Sequence, residues 1–271
     1  MYRLRTLTVM SMLLDWRLLP GPSRQRQDGG TSVVPKPPQP DGTPGNRYSR
    51  LGAALGVVGA LLLIAGTMAH PMVTDANNAA EAFAEYAATS RPAWVFAHLS
   101  QLAGVGGMVV AMVLLAWAVV GTAATGSRLM TMCGAATVAV TAVLQAVDGV
   151  ALKATVDLWS LAGPADRPAL FAAAQAVRHV EIGLDAVFSL ALAATTLLFG
   201  LVLVRGSRGG RALGAVAFVT AATATAAGVL FGLQGFSTTA MNMGAASGVL
   251  GIDLTITASV WAWRRTSRRT P

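Results

Sequence analysis

AWVFAHLSQLAGVGGMVVAMVLLAWAVVGT, residues 93–122, is a run with no Asp, Glu, Lys or Arg. As a helix rising 1.5 Å per residue it reaches about 45 Å, more than the roughly 30 Å hydrocarbon core of a bilayer. Five more apolar runs accompany it: Leu51–Ala69, Leu129–Leu152, about Ala176–Val204, Ala212–Gly232 and Gly244–Trp263. Each is long enough to cross. The chain is 54% hydrophobic and 12% charged, against about 25% charged for a soluble domain. The sequence therefore predicts an all-α fold: a polytopic membrane helix bundle with six transmembrane helices.

The cations set the orientation. Sixteen of the twenty Lys and Arg fall on one side of six crossings: the eight before the first helix, then Arg128, then Arg205, Arg208 and Arg211, then Arg264, Arg265, Arg268 and Arg269. Arg91, Lys153, Arg167 and Arg178 fall on the other. The positive-inside rule then predicts cytoplasmic N- and C-termini. Trp94 and Trp159 sit near the outer interface and Trp117, Trp261 and Trp263 near the inner one, as an aromatic belt requires. The net charge of +8 lies in tails and loops, not on one folded face, which argues against nucleic acid.

The six-helix domain is expected over 51–264, with a basic tail at 265–271. Residues 1–50 are rich in Pro, Gly, Gln and charge and read as a disordered cytoplasmic tail. Within it, Leu7–Leu14 reads as a short amphipathic segment on the membrane surface. A signal peptide is the alternative, although Asp15, Trp16 and Arg17 stand where small residues should mark cleavage. The loops at 70–92 and 153–175 each carry an expected short helix, around Ala79–Tyr86 and Pro168–Gln175. Four-residue glycine spacings (Gly52/Gly56, Gly228/Gly232, Gly244/Gly248) suit close helix packing and a homo-oligomer through small-residue faces. The lone Cys133 excludes an intrachain disulfide.

Ionisable groups inside membrane helices are costly and mark candidate sites. Counting about 1.5 Å per residue from the inner ends puts Asp148 and Asp185 about 30 Å up, at the outer boundary, and Asp253 about 16 Å up, near the midplane. His98 with Gln101, Gln145 with Asp148, and Arg178 with Glu181 and Asp185 each share a helix face by their three- or four-residue spacing. These faces predict an outward-opening polar pocket of His98, Gln101, Gln145, Asp148, Glu181 and Asp185 above Asp253. His179 points away from the Glu181 face. In the plainer reading, His70-Pro71 stops helix one, Asp148-Gly149 ends helix three, and Arg178, Glu181 and Asp185 form a surface ion-pair ladder.

No nucleophile elbow, zinc-protease helix or phosphate loop is present, so enzyme activity is not expected. No cofactor is required. Haem or a metal on His98 and His179 is a lesser alternative. The expected function is a plasma-membrane protein that binds or moves a small solute, ion or proton through an outward-facing site. The competing class is a non-catalytic structural or regulatory protein, with the lipid bilayer as its partner.

The scarcity of lysine beside abundant Ala, Gly, Val and Arg suggests a bacterial source. His70-Pro71, Trp94 with His98 opening helix two, Asp148-Gly149 at the end of helix three and a polar-headed fourth helix resemble uncharacterised six-helix membrane proteins of bacteria. The resemblance spans about residues 50–265. It implies a fold and a location and assigns no functional residue.

Overall fold

The computed structural model describes residues 44–267 except Met72, Thr74 and Gly206. The expectations for residues 1–43 and for the last four residues lie outside it. The described residues form eight α-helices and no strand: α1 Pro44–Ala69, α2 Ala79–Ala88, α3 Arg91–Val120, α4 Thr125–Ala146, α5 Lys153–Leu161, α6 Arg167–Leu203, α7 Arg208–Gln234 and α8 Thr238–Ser267. A π turn, Val147–Leu152, joins α4 to α5 without a break. Six helical rods are long and apolar enough to cross a membrane: α1, α3, the α4–π–α5 rod, α6, α7 and α8. The protein is a multi-pass, all-helical membrane protein.

The rods overrun the apolar runs. α1 starts at Pro44, seven residues before the expected Leu51, so residues 44–50 are helical. Proline at a first helical position supplies the right φ and lacks an N–H that would be unpaired there. Tyr48 packs edge-on against Trp117 at 5.4 Å, and Ser49 Oγ donates to the Ala262 carbonyl at 3.4 Å. The start of α1 and the end of α8 are thereby held together. The expected loop helix near Pro168–Gln175 is the opening of α6 itself. Asp148-Gly149 does not end its helix, which runs on to Leu161.

α1 and α3 cross almost backbone to backbone. A Cβ added at Gly59 would lie 2.7 Å from the Met108 nitrogen, and one at Gly104 2.5 Å from the Leu63 nitrogen. Only glycine allows that approach, which membrane helices use because lipid gives apolar side chains no reason to hide. Of the spaced glycines, Gly52, Gly56, Gly228 and Gly244 abut a neighbouring helix, but Gly248 faces open space.

Two apolar clusters fill the bundle's ends. Near the chain ends, Met112, Leu115, Met130, Phe199, Leu203 and Leu254 pack together. At the other end, α2 folds over the bundle, and Phe83, Tyr86, Trp94, Leu152, Val156 and Trp159 form a capping cluster. Lys153, only 4% exposed, pins this cap. Its Nζ donates to the Tyr86 carbonyl at 2.9 Å and to Asp157 Oδ1 at 2.6 Å. It is a buried tether, not the helix terminus that its neighbours suggested.

Candidate functional site

Under the cap, three helices converge. His70 follows the last residue of α1, His98 lies two turns into α3, and Asp148 sits in the π turn. One ligand-type atom from each lies within 4.8 Å of the others. His98 Nε2 is 2.9 Å from Asp148 Oδ2, with 3% and 14% of the two side chains exposed. The π turn makes this possible. An i→i+5 turn holds one residue more than an α-turn and re-aims the side chains in it. Gly149 completes the fit, since a Cβ there would lie 2.9 Å from the His98 Cβ.

The second nitrogen of each imidazole is also assigned. His98 Nδ1 is 2.7 Å from the Trp94 carbonyl, and His70 Nδ1 is 3.0 Å from the Pro71 carbonyl. A carbonyl only accepts, so each Nδ1 carries the hydrogen and donates it. In the neutral ring, Nε2 then holds a lone pair. Asp148 Oδ1 is buried with no hydrogen-bond partner. Two electron-rich atoms 2.9 Å apart repel unless a positive centre lies at them.

Aromatic rings wall the cluster. His70 lies 5.2 Å from the His98 ring and 5.3 Å from Trp94, and Trp94 stacks on His98 at 4.7 Å. The burial of His70 pushes it below the usual histidine range, with His98 adding to the effect and Asp148 and the Pro71 carbonyl opposing it. A His70 that stays neutral keeps its lone pair available.

Beyond Asp148 the carboxylates continue along α6. Glu181, 4% exposed, has an Oε2 with no hydrogen-bond partner. Glu181 and Asp185 lie within electrostatic range of Asp148. Arg178 forms no ladder with them. Its guanidinium donates to the Ala76 carbonyl and, at 3.4 Å, to Tyr86 Oη, and it lies 5.0 Å over the Phe236 ring. Burial is the main cause pushing Tyr86 up to about 12. Glu181 adds to the shift, and Arg178 opposes it by charge and hydrogen bond. Gln145 Nε2 donates to Gln101 Oε1 at 3.4 Å, linking α3 to α4 beside the cluster.

Of the expected pocket residues, His98 meets Asp148 and Gln101 meets Gln145, while Glu181 and Asp185 lie on α6 within electrostatic range of Asp148. Asp253 stands apart from them. It is exposed on the outside of α8, because Leu254 and Thr255 take the inward face. His179 is exposed too, its Nδ1 donating to the Gln175 carbonyl of its own helix. Of the histidine pair expected for haem or a metal, His98 is buried under the cap and His179 is exposed on α6. His70, read only as a helix stop, is the member that spacing missed. It stands at the same outer level as His98, and that level was the available clue.

A cavity of about 240 Å³ lies deeper in the bundle, between α1, α3, α6, α7 and α8. Asp185 is the one ionisable group on its wall. No protein family, curated protein or solved structure matches the chain.

Proposed function

We propose that this protein binds a metal ion through Nε2 of His70, Nε2 of His98 and the carboxylate of Asp148. The site lies at the end of the bundle opposite Arg47 and Arg50 of α1 and Arg264 and Arg265 of α8, an end that the positive-inside bias assigns to the outer face of the plasma membrane. One observation carries the reading: His98 spends its only neutral-state hydrogen on the Trp94 carbonyl and turns a lone pair toward a carboxylate oxygen 2.9 Å away. Atoms bound at about 2.0–2.2 Å to one metal are separated by about 3 Å when the angle between them is near 90°.

Supporting features surround it. Metal-bound histidines usually donate their other ring hydrogen to a carbonyl or carboxylate, and both of these do. Two imidazoles and a carboxylate suit zinc or iron better than magnesium or calcium. Three protein ligands leave a coordination position open, as in sites that exchange what they hold. The proposed activity is therefore ion binding and release, not a purely architectural role.

The test is the metal content of protein purified in mild detergent and incubated with zinc or cobalt. One ion per chain is expected, with cobalt giving the visible absorbance of a low-symmetry site. His70→Ala and His98→Ala abolish binding, and His179→Ala keeps it. A wild-type protein without stoichiometric metal overturns the reading, as does a His98→Ala protein that retains the ion. His98 would then be doubly protonated and would serve only to clamp α3 to the π turn through Asp148.

A further inference from the structure

The deeper cavity makes a separate demand. Its wall is almost wholly apolar, with Met108, Met112, Phe188 and Phe231 prominent, yet Asp185 lines it too. A carboxylate against hydrocarbon needs a proton, a partner cation or water. Among the described residues no hydrogen bond or ion pair reaches Asp185. Arg178 is the one cation that acts on it, and that guanidinium is already held by Ala76 and Tyr86.

Two further observations point to an occupant. Thr196, fully buried and lining the same cavity, has a hydroxyl with no partner. Gly248 also lines it, and a Cβ built there meets nothing within 4 Å, so that wall leaves space where other helix crossings are tight. A hydrated inorganic ion suits such a wall poorly, since it would surrender its water to methyl groups and rings. A neutral apolar molecule would leave Asp185 to be met by a proton alone. A cation with an apolar body satisfies both.

We infer that this cavity binds a small amphiphilic amine, its protonated nitrogen on Asp185 and its alkyl or aryl body among the methionine and phenylalanine side chains. At about 30 Å³ per water-sized group, 240 Å³ holds about eight non-hydrogen atoms, the size of a six-carbon amine. The site is distinct from the metal cluster and does not depend on it.

Binding of hexylammonium is to be measured by calorimetry on the full chain in lipid nanodiscs, with hexanol as the uncharged control of equal length. Wild-type protein should bind hexylammonium saturably. Asp185→Asn should weaken it about tenfold or more while leaving hexanol unchanged, because only the charge is removed. Gly248→Leu should block both by filling the space. Equal hexylammonium affinity in wild type and Asp185→Asn overturns the inference, as does binding undiminished in Gly248→Leu. Absence of saturable hexylammonium binding to wild type, or a co-purified lipid chain that persists equally in Asp185→Asn, overturns it too. A result against the metal site leaves these outcomes untouched.

Discussion

The Gly149 Cα faces the His98 side chain so closely that a methyl group at 149 would lie 2.9 Å from the His98 Cβ. That Cβ belongs to the stem of the side chain and cannot swing aside as the end of a flexible chain could. Gly149→Ala should therefore force α3 and the π turn apart. The expected loss is about 1–3 kcal/mol of stability together with weakened metal binding. Thermal unfolding and a zinc titration on the same sample check both. Gly163→Ala, where a Cβ meets nothing within 4 Å, is the control.

Asp148→Asn should remove the metal while keeping the fold. The amide has nearly the shape of the carboxylate, and its nitrogen can donate to the His98 Nε2 lone pair. Metal content should fall to background, with unfolding temperature changed little. An Asp148→Asn protein that keeps one ion per chain would show that the carboxylate is not a ligand.

Alkaline pH should act on Tyr86. Its phenol ionises near 10 when unfolded and is pushed up to about 12 in the fold. The unfolded state loses its proton first. Stability from this group is thus complete below about pH 10 and declines as pH rises through about 10 to 12. Unfolding curves across that window, compared with Tyr86→Phe, should show a steeper decline for wild type.

Lys153→Met should loosen the cap. The ammonium joins the Tyr86 carbonyl on α2 to Asp157 on α5, and methionine keeps the length of the stem without the donors. The Tyr86 carbonyl keeps the Thr89 N–H at 3.2 Å, so what is lost is a hydrogen bond from a charged donor, about 1.5–3 kcal/mol. Faster proteolysis within residues 75–90, with the six spanning rods intact, is the expected readout.

Asp253→Asn should leave metal and amine binding unchanged, since Asp253 lies outside both sites. Parallel titrations of this variant decide the point.

The spanning helices were legible because hydrocarbon imposes a length and a composition, and the runs around Leu51, Ala93, Leu129, Ala176, Ala212 and Gly244 met both. Their ends were less so. Pro44–Arg50 lacks an apolar run but is helical because Tyr48 and Ser49 meet α3 and α8. Level along the helix axis was readable for His98 and Asp148, which meet, since each residue adds a fixed rise. Azimuth was not. Asp253 has a deep position and an outward face, and only the packing of its neighbours decides that. The π turn was hidden for a related reason: its extra residue is a matter of hydrogen-bond register, with Asp148-Gly149 as the sole local hint.

The π turn carries one surplus residue in an otherwise regular rod. Each residue of an α-helix advances about 100° around its axis, so two faces of a plain rod stand in a fixed phase. Without that surplus, a rod that aimed Asp148 at His98 would swing Lys153 away from the Tyr86 carbonyl. The inserted backbone works as a phase adjuster, letting one polypeptide rod dock on two neighbours whose angular demands a uniform helix could not meet together.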